Sequence, residues 1–595
     1  AYQRLKKVCE TGLFSVRDFW TNPRNIFAAH ETCGMCDGNL STKLTVQFNL
    51  FGGTILKLGT KFHHDKLLDD IDSLKSVGCF GLTELGYGNN AVEMETTAVY
   101  DKKAGEFIIN TPSVLAQKYW ITNGAIHAHY CVVFARLLLQ KPEEETKEGD
   151  KQQLRYEGLH GFLVRIRNHD EKRSVAEGCK VWDMGYKIGL NGIDNAALHF
   201  HNVRIPRSHL LNATSMVSPE GAFSSKVDDR STRRRKRFLV LADQLLSGRV
   251  CIASMVLGST KMTLATTIRY AYSRKAVGPN GYSTAPILGF QLTKNALMPM
   301  IATTYANNFA LKYVQRRYAE QTDDDKSHVV ILCCAIKPLI TWHASYIANV
   351  CRERCGGQGF LAANRFGEAI VGAHAGITAE GDNKVIQQKV SKELMAKVTK
   401  TQLMRHYAFI HLPHSLQRTY NYHSGAVEDL AWLQRLFEWS ENRAIADLAV
   451  AMYQRSSRGG KGQDNNPLYD AWMLHESTRV QRVADAFGER VRFEAFHNVL
   501  KSQRMLKENK GKQQQSNNGD LVAVLTKLCL LHGLTILQEN VGYFLTEGVI
   551  SIYQARESKH KIEELCKELG KPETALRLVE SFGIPEWMHH APIAQ

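Results

Sequence analysis

Residue spacing changes character twice along this chain of 595 residues. Residues 1 to about 78 carry no strand pattern and read as mostly helical, apart from an irregular, glycine-containing stretch from Phe51 to Gly59. From Cys79 short β-prone runs take over: Thr96 to Tyr100, Phe107 to Asn110, Tyr130 to Leu139, Phe162 to Ile166 and Ala197 to Val203. Gly, Asn and charged loops separate them, as between the strands of a sheet. After the basic run Arg233–Arg237, helical spacing returns. Leu246, Val250, Ala253, Leu257, Leu264, Ile268 and Ala271 recur at three, four or seven residues and mark one buried stripe. Val427, Leu430, Leu433 and Phe437 open another helical block, with polar linkers at Ser456 to Pro467 and Glu508 to Asp520. The predicted fold is mainly α with an inserted β-domain. Its expected parts are an N-terminal helical domain (1–78), a β-domain (79–215), a helical domain (216–400) and a C-terminal helical domain (401–595).

Composition agrees and removes alternatives. Only 14 prolines occur, and proline breaks helices, so a helix-rich fold is favoured. At 44% hydrophobic the chain is globular, which excludes disordered, collagenous and disulfide-stapled classes. The formal net charge of +16 suits a polyanionic partner: nucleic acid, an anionic membrane face, or a phosphorylated ligand such as a nucleotide or coenzyme A. The run Arg233–Arg237 lacks aromatic interleaving, which leaves a solvated loop or phosphate contacts as its readings. Thirteen scattered cysteines point to free thiols in a reducing compartment. Cys33 and Cys36 form a CxxC with no second pair at zinc-finger spacing, so an ordinary loop is expected there and no metal. No apolar run is expected to span a bilayer. The best candidate, His328 to Val350, is interrupted by Lys337 and Pro338 and reads as a buried helix.

Common catalytic signatures are missing: no GxxxxGK[ST], HExxH, GxSxG, or GxGxxG after a strand. Three glycine-marked polar clusters remain: Gly81-Leu82-Thr83-Glu84-Leu85-Gly86, Cys355-Gly356-Gly357-Gln358-Gly359-Phe360 and Thr378-Ala379-Glu380-Gly381-Asp382-Asn383. Each could be a turn or a close backbone approach to a ligand. Glu380 could be a catalytic carboxylate or a first-turn acid complementing a helix dipole. Spacing alone leaves both open.

Together and in this order, the clusters resemble the flavin-dependent acyl-CoA dehydrogenase and oxidase superfamily over nearly the whole chain. The segments are Cys79-Phe80-Gly81-Leu82-Thr83-Glu84; Lys118-Tyr119-Trp120-Ile121-Thr122-Asn123-Gly124, like the family's K-x-W-I-[ST]-N; and Asp183 to Asn195 running into Val203-Arg204-Ile205-Pro206. Ser247-Gly248-Arg249-Val250, Tyr270 to Arg274, Ile287 to Gln291 and the Glu380 cluster follow. The Asp183–Asn195 segment and the roughly 195 residues beyond residue 400 are similar to the oxidase branch, of plant long-chain type.

The resemblance implies an acyl-CoA dehydrogenase-like fold with an added oxidase-type helical domain. It implies FAD as cofactor, with Thr83 on the flavin's pyrimidine edge, Trp120 and Thr122 flanking the ring, and Arg274 and Gln291 reaching the phosphates. Gly356, Gly357 and Gly359 would let the backbone approach the adenosine part. Glu380 would be the base, with Arg249 in the polar surroundings of the active site. Those cofactor contacts cross a subunit boundary in the family, so a homodimer is implied. Arg233, Arg234 and Arg235 are candidate coenzyme A contacts. The implied reaction converts fatty acyl-CoA to trans-2-enoyl-CoA with O2 reduced to H2O2, the first step of peroxisomal β-oxidation. A peroxisomal location follows from the family alone, since no SKL-like tripeptide closes the sequence. The alternative is a very-long-chain-type dehydrogenase passing electrons to a protein. A nucleic-acid binder or a non-catalytic scaffold is disfavoured by the coherence of the flavin-site series. Val277 departs from the family's R-x-x-F-G, where an aromatic is usual.

Overall fold

The computed structural model describes residues 1–141, 154–227, 237–238, 244–399, 401, 404, 425–458, 466–509 and 516–595. The chain divides into two units, Ala1–Met255 and Val256–Gln595, with the boundary inside the helix Gln244–Ser273. The fold is mainly helical, with its main sheets in the first unit.

Nine strands build those sheets: β1 (Gly78–Gly81), β2 (Thr97–Asp101), β3 (Glu106–Asn110), β4 (Lys118–Thr122), β5 (Tyr130–Gln140), β6 (Leu154–Arg165), β7 (Cys179–Asp183), β8 (Asn195–Phe200) and β9 (Val203–Pro206). β5 pairs with antiparallel β6 and with parallel β1 and β2, and β3 and β9 extend the sheet beyond β2. β4, β8 and β7 form a separate antiparallel sheet. Both faces of β5 are covered. Cys131, Val133, Ala135, Leu137 and Leu139 join a core with Phe107, Ile121, Phe162 and Phe200. Val132 and Phe134 join the core of the N-terminal helices, with Phe48, Phe51, Ile55 and Leu67. A strand buried on both faces has no reason to alternate, which is why Tyr130–Leu139 reads as one apolar run.

Several local expectations fail for identifiable reasons. Ala197–Val203 is two strands, divided where Asn202 takes φ +49°. β4 escapes a pattern search because its pairing with β8 bulges between Lys118 and Ile121 and Trp120 adopts φ +62°. The stretch Phe51–Gly59 is not irregular: a π-helix (Thr45–Gly52) continues into an α-helix (Gly53–Leu58). Glycine there serves close packing rather than a break. A Cβ on Gly52 would stand 2.7 Å from Val16 Cγ2. Cys33 and Cys36 lie in the last turn of the helix Pro23–Cys36, not in a loop. Among the described residues no group of three or more His, Cys, Asp or Glu is placed to hold a metal ion.

The second unit is built of long helices, chiefly Gln291–Ala319, Lys326–Arg354, Phe366–Thr378, Asn383–Met395, Leu430–Arg458, Ser477–Asn509, Ser516–Glu539 and Ile552–Leu569. Lys337 and Pro338 do not interrupt their helix, which runs unbroken through both. The expectation that no run could span a bilayer is therefore corrected. Leu245–Ser273, Lys326–Arg354 and Asp520–Glu539 are long and apolar enough by length and composition, and 89%, 67% and 50% of their most apolar windows are buried within the protein. A helix can accept a lysine and a proline when its neighbours satisfy the polar groups.

Two buried histidines make the first unit acid-sensitive. Burial pushes His30 and His160 each down to about 4, from an ordinary 6.5. Between those values the unfolded chain binds more protons than the folded one, so stability is complete above about pH 6.5 and falls with acid. Each ring should cost about 1.4 kcal/mol per pH unit in that window. Urea unfolding followed at pH 7 and pH 5 should show the loss, and His30→Gln/His160→Gln should show a shallower dependence on pH.

Candidate active site

Thr83, Trp120 and Thr122 are brought to one region of the first unit. Glu84 and Lys118 form an isolated antiparallel bridge, and the Tyr119 N–H donates to the Thr83 carbonyl at 2.9 Å. The turn after β1 thus lies against β4. A buried ion pair fixes this junction: Lys118 Nζ lies 2.9 Å from Glu84 Oε1, and both side chains are fully buried. Lys118 also donates to the Phe134 carbonyl (2.7 Å), while Glu84 accepts from the backbone N–H of Glu95 (2.7 Å) and Thr96 (3.0 Å). Burial pushes the Lys118 ammonium below the ordinary lysine value, and the Glu84 charge pulls it back. Over this rivet Thr83 is exposed and the Trp120 indole is 56% exposed. A tryptophan in left-handed backbone is strained, and such strain persists only where the surroundings impose it.

Thr122 is held from the other side. Its hydroxyl accepts from Asn195 Nδ2 at 3.0 Å. The neighbouring Asp194 accepts from Ile126 N–H (2.8 Å) and pairs with Lys43 Nζ (3.3 Å) and His127 Nδ1 (3.0 Å). Lys43 donates as well to Asn123 Oδ1 at 2.6 Å. Burial alone would raise the Asp194 carboxyl, yet the His127 hydrogen bond and the Lys43 charge hold it well below the usual carboxylate range. Arg249 is half-buried on the helix Gln244–Ser273. That helix is anchored where Ser247 Oγ donates to Asn49 Oδ1 at 2.7 Å. It also crosses the helix Pro23–Cys36 so closely that a Cβ on Gly34 would lie 2.1 Å from the Met255 carbonyl oxygen. A separate cavity of about 350 Å³ is lined by Gln117, Tyr119, Trp182, Asp183, Met184 and Ala197, and by none of the predicted site residues.

The second unit carries the remaining candidates. Arg274 and Gln291 are both exposed. The Ile287 N–H donates to the Arg274 carbonyl at 2.9 Å, which sets the short 3-10 turn Ile287–Gly289, just ahead of Gln291, beside the arginine. Val277, where the family usually has an aromatic, is 65% exposed after a bulge in the same hairpin. The glycines of the Gly356–Phe360 segment separate by role. A Cβ on Gly359 would collide with the Arg352 carbonyl oxygen at 2.1 Å, so that glycine is required by the chain's own packing. Gly356, at φ +55°, and Gly357 are exposed, and a Cβ on either would meet nothing within 4 Å. Glu380 sits between the helices Phe366–Thr378 and Asn383–Met395 at φ +54°, followed by Gly381 at φ +105°. Its two carboxylate oxygens are shielded from solvent. The helix-dipole reading of Glu380 fails, because Asp382 is the N-cap and accepts from Lys384 N–H (2.9 Å) and Val385 N–H (3.3 Å). Arg233, Arg234 and Arg235 lie outside the described residues. Arg237, which ends that basic run, is committed to Glu157 at 3.1 Å and to the Phe223 ring at 4.7 Å.

Residues 79–203 match the acyl-CoA dehydrogenase middle domain, 243–395 the acyl-CoA oxidase C-alpha1 domain, and 429–595 the acyl-CoA oxidase domain. Peroxisomal acyl-coenzyme A oxidase 2 of Arabidopsis thaliana is 31% identical over 609 residues, covering 100% of this chain and 83% of that protein. The chain belongs to the acyl-CoA oxidase family. Solved acyl-CoA oxidases share its acyl-CoA dehydrogenase-like fold. Acyl-CoA oxidase 1 of Yarrowia lipolytica superposes with a TM-score of 0.78 at 22% identity, over 100% of this chain and 88% of that one. Acyl-CoA oxidase 2 of Caenorhabditis elegans, solved with FAD, ascaroside-CoA and ATP, does so with a TM-score of 0.76 at 20% identity, over 93% of this chain and 77% of that one.

The surfaces of this acyl-CoA oxidase family member fit the cofactor that the family implies. Thr83, Thr122 and an outward indole suit the ring of a flavin, an exposed arginine and glutamine suit its phosphates, and the open Gly356–Gly357 backbone suits its adenosine. Sequence reasoning gave no role to the residues that hold the Thr83, Trp120 and Thr122 region: Glu84, Lys118, Asp194 and Asn195 stood only as parts of motifs, and Lys43 was not singled out. Lys43 had left a trace, as the one cation in the otherwise uncharged stretch Asn39–Leu56.

Proposed function

We propose that this protein is an FAD-dependent acyl-CoA oxidase that converts fatty acyl-CoA to trans-2-enoyl-CoA while O2 is reduced to H2O2. The reading is carried by Glu380, a solvent-shielded carboxylate held in a left-handed turn, in a chain similar along its whole length to named acyl-CoA oxidases. Glu380 takes the proton from the carbon next to the thioester. Held in that turn, the carboxylate is a fixed acceptor for the proton. FAD, when bound, supplies the hydride acceptor and the route to oxygen that no side chain can provide. Thr83, Trp120 and Thr122 orient the ring, Arg274 and Gln291 bind the phosphates, and Gly356, Gly357 and Gly359 shape the backbone at the adenosine. Arg249 contributes polar surroundings to the reacting thioester. Arg233, Arg234 and Arg235 bind coenzyme A phosphates.

The active form is a homodimer with FAD at the subunit interface, and the enzyme works in the peroxisome at the first step of β-oxidation. Several relatives are named peroxisomal, which supports that location. The match of residues 429–595 to an acyl-CoA oxidase domain favours oxygen over a protein electron acceptor. Adding a long-chain acyl-CoA in air to the yellow protein should yield peroxide in step with 2-enoyl-CoA. Bleaching without peroxide would instead identify a dehydrogenase, and a preparation that stays colourless after reconstitution with FAD would remove the flavoenzyme reading.

A further inference from the structure

We propose that Lys337 is the positioning residue for Glu380, a role that rests on the reading of Glu380 as the base. Lys337 lies within the helix Lys326–Arg354 and its side chain is fully buried. A buried ammonium is costly unless its N–H groups are satisfied. Lys337 Nζ donates to the Gly381 carbonyl (2.7 Å), to Asn383 Oδ1 (3.0 Å) and to the Ile377 carbonyl (3.3 Å). These three acceptors bracket Glu380 on both sides in sequence.

Each contact fixes a different part of the turn. Ile377 is in the last turn of the helix Phe366–Thr378, where carbonyls lack intrahelical partners and a cation is favoured by the dipole. Gly381 immediately follows Glu380. Asn383 begins the next helix, and its Nδ2 donates to Thr341 Oγ1 (2.9 Å), which in turn donates to the Lys337 carbonyl (2.9 Å). The ring Lys337–Asn383–Thr341 therefore ties both ends of the turn to one helix. Such a tie is needed, because a glutamate at φ +54° is in strained backbone that persists only where the surroundings hold it in place. The charge that looked in the sequence like an interruption of an apolar helix is the anchor of the catalytic turn.

Lys337→Met keeps the stem and removes the donors. It should retain bound FAD and an acyl-CoA KM within about threefold of the parent, while kcat falls roughly 10²-fold, the scale of a misplaced catalytic group. Amide hydrogen exchange across Thr378–Asn383 should accelerate, and Lys337→Arg should recover part of kcat. In a Glu380→Gln background Lys337→Met should have no further effect on kcat. If Lys337→Met does not fold, Thr341→Val severs the ring while leaving the lysine, and kcat should fall several-fold at unchanged KM. Unchanged kcat in whichever of these variants folds overturns the proposal, as does an equal loss in the Glu380→Gln background. The base assignment fails separately, through a Glu380→Gln enzyme that still turns over.

Discussion

Glu380→Gln is expected to leave the protein folded and yellow while turnover falls by about 10²–10⁴ or more. The amide is close in size to the carboxylate and can occupy the same turn, which Asp382 caps and Lys337 anchors. It cannot accept the proton from the α-carbon, and general-base catalysis contributes on this scale. The measurement pairs a visible spectrum with a peroxide assay under saturating acyl-CoA. Loss of both colour and activity would indicate damage to the cofactor site, and substantial remaining activity would take Glu380 out of the role.

The second large effect is on stability. Lys118→Met should destabilise the first unit by about 3–5 kcal/mol, because it leaves Glu84 charged and buried without its cation. Glu84→Gln should destabilise as well: its amide oxygen can replace Oε1 and accept from Lys118 and Thr96, but its NH2 then faces the Glu95 N–H that Oε2 accepts, and Lys118 is left buried without a counter-charge. The double variant Glu84→Gln/Lys118→Met should recover much of the Lys118→Met loss, because no unpaired charge remains in the interior. Urea unfolding of the parent, both single variants and the double variant reads the coupling directly. Retention of FAD by the folded double variant would then report how far the ion pair also sets Thr83 and Trp120. Strictly additive losses would show that the pair is not an energetic unit.

The helical parts were legible because their cause is local. Leu246, Val250, Ala253, Leu257, Leu264, Ile268 and Ala271 repeat at helical spacing, and they are buried on the helix Gln244–Ser273. Strands β2, β3 and β5 were legible for the same reason, through β-prone side chains between turn residues. β4 was legible only through the likeness of its segment to a family motif. Its bulge and its left-handed Trp120 break the alternation that a pattern search needs. The Phe51–Gly59 stretch misled in the opposite sense, since its glycines answer to neighbours such as Val16 rather than to a chain break.

The candidate site divides along the same line. The order of elements, the free thiols and the cationic excess follow from spacing and composition, and the side chains offered for chemistry are implied by the likeness of their segments to a known family, so the linear chain already carries them. How those side chains are held is settled by folding. Glu84 reaches Lys118 across 34 positions, Lys337 reaches Gly381 across 44, and Lys43 reaches Asp194 across 151. No periodicity connects residues so far apart. Each is a buried lysine whose charge is tolerable only where the fold delivers acceptors to it, and that delivery is a property of packing rather than of local sequence.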